Sequence, residues 1–157
     1  GYEKVILNSQ VIKSPNILLD INKAIGAQSI VVSIDIIVKD SNYFIYDYIQ
    51  KKIVSIDLKK YLKIIQKLGI GEILVTFVDL DGTMKGTNID FINYIKGEVD
   101  VPLIYKGGAR SAEDIKKIID TEVSAFTSST IFIMKKLNGG IVFNYPSVKE
   151  KSDYGIL

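Results

Sequence analysis

A chain of 157 residues with 47% hydrophobic and 24% charged residues is long enough to bury one core and has the composition of a globular domain. Its net charge of +2, its scattered lysines and the absence of Trp argue against a nucleic-acid-binding surface. The absence of Cys and His excludes disulfides, thiolate nucleophiles and imidazole chemistry, so catalysis would need carboxylates, lysine, tyrosine, hydroxyls or backbone dipoles.

The apolar runs are too short to cross a bilayer. The longest lie within residues 30–38, interrupted by Ser33 and Asp35, whereas a spanning helix needs about 20 apolar residues. No signal peptide is visible, so we expect a cytoplasmic protein that makes no membrane contact. The chain starts at Gly1 without an initiator Met, close to a candidate strand, and we expect that N-terminal units are missing.

Strand and helix patterns alternate in the first half of the chain. Lys4–Leu7 predicts a strand, and Ser14 is expected to cap a helix that ends at Gly26. Residues 29–34 predict a buried strand that ends in Asp35. Residues 38–55 predict a two-stranded excursion around a polar tip.

The alternation continues in the second half. The predicted strands are Glu72–Phe77, Val101–Tyr105 and Ser124–Thr127. The predicted helix caps are Asp57, Asn88, and Ser111 with Asp114 as a capping box. After the last strand we expect a helical turn over residues 131–136, a turn at 138–140, an extended segment at 142–146 and a loose polar end.

Five strand–helix units imply βαβ crossovers and a parallel sheet, so the predicted fold class is α/β. Ligands of such folds lie at the carboxyl ends of the strands. Each predicted strand ends in residues that suit a ligand: Asn8 and Ser9; Asp35; Asp79, Asp81 and Gly82; Gly107 and Gly108; Ser128, Ser129 and Thr130. We expect these residues to gather on one rim and to face a shared anion.

The loop after the third of these strands is the strongest candidate site. Asp81 offers an acceptor, Gly82 lets backbone N–H groups approach an anion, and Thr83 adds a hydroxyl. Thr76, near the end of the strand, is included among the expected ligand-binding residues. The alternative is an ordinary Asp-Gly turn.

Two further sets of residues are candidates, one for a phosphate site and one for acid–base catalysis. Gly107–Gly108 and Ser129–Thr130 follow consecutive strands and predict a phosphate site built from amides and hydroxyls; the alternative is a tight turn with small residues. Lys106 could contact that phosphate or point to solvent.

Asp35 and Asp81 could share acid and base roles, or Asp35 could be structural. No motif supports a metal, and we expect no metal or other cofactor.

Three segments resemble one known family. GEILVTFVDLDGTMKG (71–86), VPLIYKGGARSAEDI (101–115) and TSSTIF (127–132) are similar to the C-terminal part of the cyclase subunit of imidazole glycerol phosphate synthase. The similarity runs from KVILNS (4–9) to the last predicted strand, and DGTMKG (81–86) is its most specific part.

The resemblance implies a TIM (βα)8 barrel, of which residues 1–157 form a single domain carrying about strands four to eight. That family closes an imidazole ring with ammonia delivered by a glutaminase subunit, and it releases an aminoimidazole carboxamide ribotide. One of its catalytic aspartates matches Asp35, while the other, on the first strand, has no counterpart here. The remaining matches to its phosphorylated-substrate site are Asn8, Ser9, Asp81, Gly82, Thr83, Gly107, Gly108, Ser129 and Thr130.

The chain also departs from that family. Ile37, Phe77, Leu80 and Lys106 replace a lysine, a small residue, a basic residue and a small residue, and Thr130 replaces a serine. The segment IVFNYP (141–146) is similar instead to paralogues in surface-polysaccharide clusters, which work with a glutaminase to convert an acetamido sugar into an acetamidino sugar. Both substrates stay open.

Three hypotheses follow. The chain is the ammonia-using part of a glutamine amidotransferase, a truncated half-barrel that binds phosphate or its partner without turnover, or another phosphosugar barrel enzyme such as an isomerase. A partial barrel leaves strand edges uncovered, so we also expect a homo-oligomer.

Overall fold

The fold is a parallel sheet with helices between its strands. The computed structural model describes residues 1–121, 123–132, 135–137, 140–142 and 147–153. The elements are β1 (Val5–Leu7), α1 (Ser9–Lys13), α2 (Ile17–Ile25), β2 (Ile30–Lys39), β3 (Asn42–Asp47), β4 (Lys52–Ile53), α3 (Leu58–Lys67), β5 (Glu72–Phe77), α4 (Ile89–Ile95), β6 (Leu103–Lys106), α5 (Ala112–Ile119), β7 (Ala125–Thr127), β8 (Lys135–Leu137), β9 (Gly140–Val142) and α6 (Val148–Asp153).

The parallel strands follow one another in chain order. β1 pairs with β2, β2 with β5, β5 with β6 and β6 with β7, each in parallel, and at least one helix lies between each pair. β3 and β4 extend the sheet by antiparallel pairing beside β2. Sequential parallel strands joined through helices are the repeating unit of a (βα)8 barrel. The predicted α/β class with a partial TIM barrel is confirmed.

The two faces of the sheet differ in burial. Along β5, Ile73, Val75 and Phe77 are buried while Leu74 and Thr76 between them are half-buried, as the two-residue period of a strand requires. Phe77 contacts Phe91 of α4 with ring centroids 5.0 Å apart, so the buried face is the one that the helices cover. The core therefore lies between sheet and helices, and the other face carries both apolar residues such as Leu74 and polar residues such as Thr76.

Two helix starts agree with the sequence. The Asp57 carboxylate accepts a hydrogen bond from the Lys60 amide at 2.9 Å at the start of α3. The Asn88 side chain accepts one from the Phe91 amide at 3.1 Å at the start of α4. Each side chain satisfies an amide that has no partner inside its helix.

The predicted cap at Ser14 is wrong. A short helix, α1, directly follows β1, and Ser14 closes it by donating its amide to the Gln10 carbonyl. Proline disfavours helical geometry in the residue before it, so Pro15 separates α1 from α2. α2 then begins after Asn16 and ends, as expected, at Gly26, whose φ is 84°.

β2 does not end at Asp35. It continues to Lys39 because β3 pairs antiparallel with residues 36–39 and satisfies their backbone groups. The connection contains Asp40 and Ser41 at positive φ, 50° and 59°, which suits a tight hairpin turn. The expected two-stranded excursion is confirmed, and its strand β3 comes directly beside the end of the parallel sheet.

The predicted capping box of α5 is also wrong. Among the described residues, the Ser111 hydroxyl makes no cap hydrogen bond. Asp114 accepts instead from the Arg110 amide at 3.0 Å and from the guanidinium at 2.8 and 2.9 Å. A guanidinium group binds a carboxylate more strongly than a neutral amide does, so the Asp114 carboxylate pairs with Arg110.

The end of the chain differs from expectation where it is described. Residues 135–136, expected at the end of a helical turn, belong to β8, which pairs antiparallel with β9. Residues 148–153 of the expected loose end form α6. Of the turn predicted at 138–140, residue 140 begins β9 and residues 138–139 lie outside the described residues, as does most of the extended segment, 143–146.

The loop after β5 is joined to the end of β6 through backbone. The Gly86 amide donates to the Gly108 carbonyl at 2.7 Å. A Cβ at Gly108 would overlap the Gly86 carbonyl oxygen, and Gly108 has a φ of 82°. Glycine is therefore required at this position both for its backbone conformation and for the close approach.

We expect Asp57→Ala to lower the free energy of unfolding by about 1 kcal/mol, because it removes the cap of α3. Ser111→Ala is the matched control at a cap position without a cap hydrogen bond, and it should change stability by less than about 0.5 kcal/mol. Urea unfolding monitored by circular dichroism measures both. Equal losses would contradict the assignment of caps.

We expect Gly108→Ala to destabilise the chain by at least about 2 kcal/mol, since backbone strain and a clash with Gly86 add. Gly97→Ala is the control: Gly97 has a similar φ of 75°, but a Cβ there would meet no described atom within 4 Å. It should cost about 1 kcal/mol from strain alone. The shift in urea midpoint compares them, and similar shifts would show that the contact with Gly86 is unimportant.

Candidate functional site

Polar side chains of four neighbouring strands stand in one row near the carboxyl edge of the sheet. The register pairs Asp35 of β2 with Thr76 of β5, Thr76 with Lys106 of β6, and Lys106 with Thr127 of β7. Residues paired across parallel strands point to the same face. Because Phe77 next to Thr76 faces the helices, the row lies on the opposite face.

Asp35 lies at the β2 end of this row. Its carboxylate accepts a hydrogen bond from the Asn8 amide nitrogen at 3.0 Å, and the residue is only 9% exposed. Burial raises the pKa of Asp35 above its ordinary value; the Asn8 hydrogen bond and the Lys106 charge lower it, while the charges of Asp47 and Asp81 raise it. Asp35 is therefore a carboxyl group suited to proton transfer.

Asp81 lies at the centre of a second group. Its Oδ2 is 3.1 Å from the Lys106 ammonium, and its Oδ1 accepts from the Ser129 hydroxyl at 2.9 Å. A Cβ on Gly82 would lie 3.9 Å from Ser129 Oγ, so the Asp-Gly turn comes close to the end of β7. The loop after β5 is thereby linked by side chains to β6 and β7.

Two of the residues predicted to bind phosphate, Gly107 and Ser129, lie against this second group. A Cβ on Gly107 would lie 3.3 Å from the Asp81 amide. Thr130 is 4% exposed and its amide donates to the Ser128 hydroxyl at 3.3 Å, as the Ile131 amide does at 3.4 Å. The two predicted segments therefore meet the same acidic loop.

Two predicted residues lie apart from the row. The Ser9 hydroxyl is buried and donates to Asp47 at 3.2 Å instead of facing Asp35. The exposed Thr83 hydroxyl donates to the Leu80 carbonyl at 2.8 Å, inside its own loop.

Sequence reasoning missed Asp47. This buried carboxylate accepts from Ser9 and from the Ile49 and Gln50 amides at 3.0 and 3.1 Å. The Gln50 amide is the largest of the causes that lower the pKa of Asp47, so the group stays ionised beside the site. An acidic residue directly after the apolar and aromatic run 43–46 of β3 was the available signal.

In the described part of the chain, no three acidic side chains gather in a way that could hold a metal ion. Within the same residues, no helix combines the length and the apolar character needed to cross a membrane. The site consists of carboxylates, hydroxyls, one lysine and backbone amides.

Comparison with known proteins finds relatives that carry similar names. A Vibrio vulnificus (strain YJ016) protein with the provisional name imidazole glycerol phosphate synthase subunit hisF3 is 36% identical over 96% of this chain and 59% of its own length. The imidazole glycerol phosphate synthase subunit HisF of Exiguobacterium sp. (strain ATCC BAA-1283 / AT1b) is 32% identical over 83% of this chain and 51% of its own length.

A third relative, the HisF subunit of Hydrogenobaculum sp. (strain Y04AAS1), is 34% identical over 88% of this chain and 56% of its own length. The chain thus spans little more than half the length of these relatives. The model of the family described as histidine biosynthesis protein matches residues 1–138. Since this match covers most of the chain, the chain belongs to the histidine biosynthesis protein family.

Proposed function

We propose that this chain is the ammonia-using part of a glutamine amidotransferase of the imidazole glycerol phosphate synthase type, and that it closes an imidazole ring on a phosphorylated substrate. The observation that carries the proposal is that two carboxylates of unlike surroundings lie near enough to interact electrostatically: Asp35 in the polar row of the sheet, and Asp81 against Lys106 of that row. The names of the relatives, all subunits of that synthase, support it.

The two carboxylates divide the acid–base work in this proposal. Asp35 is buried and its pKa is raised above that of an exposed aspartate, so it holds a proton more readily than such a group does and can act as the general acid or base. Asp81 is paired with Lys106 and acts as the second carboxylate. Ring closure by ammonia requires protons to leave nitrogen and reach oxygen, and in a chain without His these groups can transfer them.

The phosphate groups of the substrate bind at the rim in this proposal. Gly107, Gly108, Ser129 and Thr130 bind one phosphate, and Gly82 and Thr76 adjoin them, whereas the Thr83 hydroxyl is held inside its own loop by the Leu80 carbonyl. Asn8 contributes to the other phosphate, whereas the Ser9 hydroxyl is held by Asp47. The Asn8 Oδ1 atom is buried and has no hydrogen-bond partner within the described residues, so it offers an acceptor to a bound ligand.

The proposal also covers the domain organisation, the partner and the cellular location of the protein. We infer that residues 1–157 act as a single domain, the C-terminal part of a phosphate-binding barrel. A glutaminase subunit supplies ammonia, the relatives being named as subunits of a larger enzyme. The protein works in the cytoplasm, as its biosynthetic family suggests.

A second candidate is the paralogous reaction, in which ammonia converts an acetamido sugar into an acetamidino sugar. Lys106 favours it, because a lysine stands between the two carboxylates where the resembled cyclases have a small residue. Two other functions would replace both the ring closure and the acetamidino-sugar reaction if experiment supported them. They are phosphate binding by a half-barrel without turnover, and isomerisation of a phosphosugar.

We expect slow release of aminoimidazole carboxamide ribotide when residues 1–157 are given the ring-closure substrate of the family and ammonium, since these residues hold one of the two catalytic aspartates that the resemblance implies. Asp35→Asn should reduce this rate by about 10²-fold or more, the usual contribution of a general acid or base. Absorbance of the released product measures it.

Asp40→Asn is the matched control, because Asp40 is exposed in the hairpin turn and Asn tolerates its positive φ. Its rate should equal that of the unaltered chain. Equal rates for Asp35→Asn and the control would remove Asp35 from the mechanism. Turnover of a phosphosugar by isomerisation would favour the isomerase, and binding of the substrate without turnover the half-barrel.

Asp35→Asn should also stabilise the chain at pH 7.5. A raised pKa in the folded state means that folding favours the protonated carboxyl group, so stability falls as pH rises from about 3.8 through the folded pKa. An amide escapes this penalty, and the stabilisation should vanish below pH 3.8. Thermal unfolding across this pH range measures the difference.

Asp114→Asn is the control, and the change in stability expected for it has the opposite sign. The Arg110 side chain lowers the pKa of Asp114, so the ionised group stabilises the fold above its ordinary pKa and this stabilisation disappears in acid. The variant should therefore destabilise the chain at pH 7.5 and have little effect in acid. The same pH dependence for both variants would contradict the raised pKa of Asp35.

A further inference from the structure

Lys106 is the residue of the site for which the proposed mechanism gives no substrate contact. It is the last residue of β6, directly before Gly107 and Gly108, and it stands between Thr76 and Thr127 in the polar row. Its side chain is 32% exposed and that of Asp81 is 24% exposed. Water reaches both members of the pair.

An ion pair that water reaches contributes little to stability. The Lys106–Asp81 pair can therefore open at low cost when a stronger anion arrives. Asp81 would keep its second hydrogen bond, from Ser129, and so would stay in place after the exchange.

The charges around the site make Lys106 necessary for an anionic ligand. Asp35 is faced by Asn8 from the end of β1, by Asp47 from β3, by Asp81 from the loop after β5 and by Lys106 from β6. Among these groups Lys106 carries the one positive charge, against three carboxylates. An anion arriving without it would meet like charges, which repel strongly where water is partly excluded.

We propose that Lys106 determines substrate specificity: its ammonium exchanges the Asp81 carboxylate for an anionic oxygen of the substrate, a phosphate or a carboxylate, bound above Gly107 and Gly108. The exchange releases Asp81 Oδ2 beside the bound substrate. Recognition of the anion and release of the second carboxylate are then one event. This inference deepens the proposed function and rests on it.

Three ligands test the proposal with the protein as it is: D-ribose 5-phosphate, D-ribonate and D-ribose, titrated by calorimetry. Lys106→Met should weaken binding of the preferred anionic ligand by about tenfold or more, as expected for loss of a charge-assisted contact, and should leave that of D-ribose unchanged. Lys106→Arg should retain most of the affinity. Comparison of the first two ligands identifies which anion is recognised.

Lys85→Met is the matched control, because Lys85 is exposed in the loop that carries Asp81. It should bind all three ligands as the unaltered chain does. A loss as large as that of Lys106→Met would show a general effect of lysine charge and would overturn the proposal.

Asp81→Asn separates exchange from a structural role of the ion pair. Under exchange it removes a competitor for the ammonium, so binding of the anion should tighten by up to about fivefold, and an amide oxygen can still accept from Ser129. If the pair merely holds the loop, the variant should weaken binding as Lys106→Met does. That result, or unchanged binding by Lys106→Met, overturns the proposal.

Melting temperatures establish that each variant is folded. If Lys106→Met does not fold, the direction of the change in Asp81→Asn, with retention in Lys106→Arg, decides the question. No turnover is measured, so a failure of the proposed ring closure would leave these binding results unaffected.

Discussion

The register of the parallel strands is the constraint on which the site depends. Hydrogen bonds between β2, β5, β6 and β7 place Asp35, Thr76, Lys106 and Thr127 side by side, although they are distant in sequence. A shift of one residue in any strand would turn its polar side chain toward the helices, where Phe77 and the other buried aromatic side chains pack. The packing of the core against the helices therefore also determines which groups face a ligand.

The second constraint is charge. Three carboxylates lie near one another, with Lys106 beside Asp81 and Lys13 near Asp47. The pKa of Asp35 is raised chiefly by loss of water. Asp47 differs because backbone amides hold its ionised form. Similar side chains thus acquire different chemistry within a small region, which is what acid–base catalysis requires.

Local sequence signals predicted local structure well. The caps Asp57 and Asn88 were identified correctly because a cap requires only a side chain within reach of an amide three residues away. The box at Ser111 failed because Arg110, one residue before it, binds Asp114 more strongly. The continuation of β2 past Asp35 was missed since it depends on pairing with β3, a partner that periodicity does not reveal.

The sequence by itself determined the α/β class, the order of the strands and the set of polar strand ends, because hydrophobic periodicity and glycine positions are local properties. The tertiary structure alone decided which of these ends meet. It joined Asp81 to Lys106 and Ser129, and it directed Ser9 to Asp47. Such pairings follow from distances of a few ångströms between strands, and no pattern along one chain contains that information.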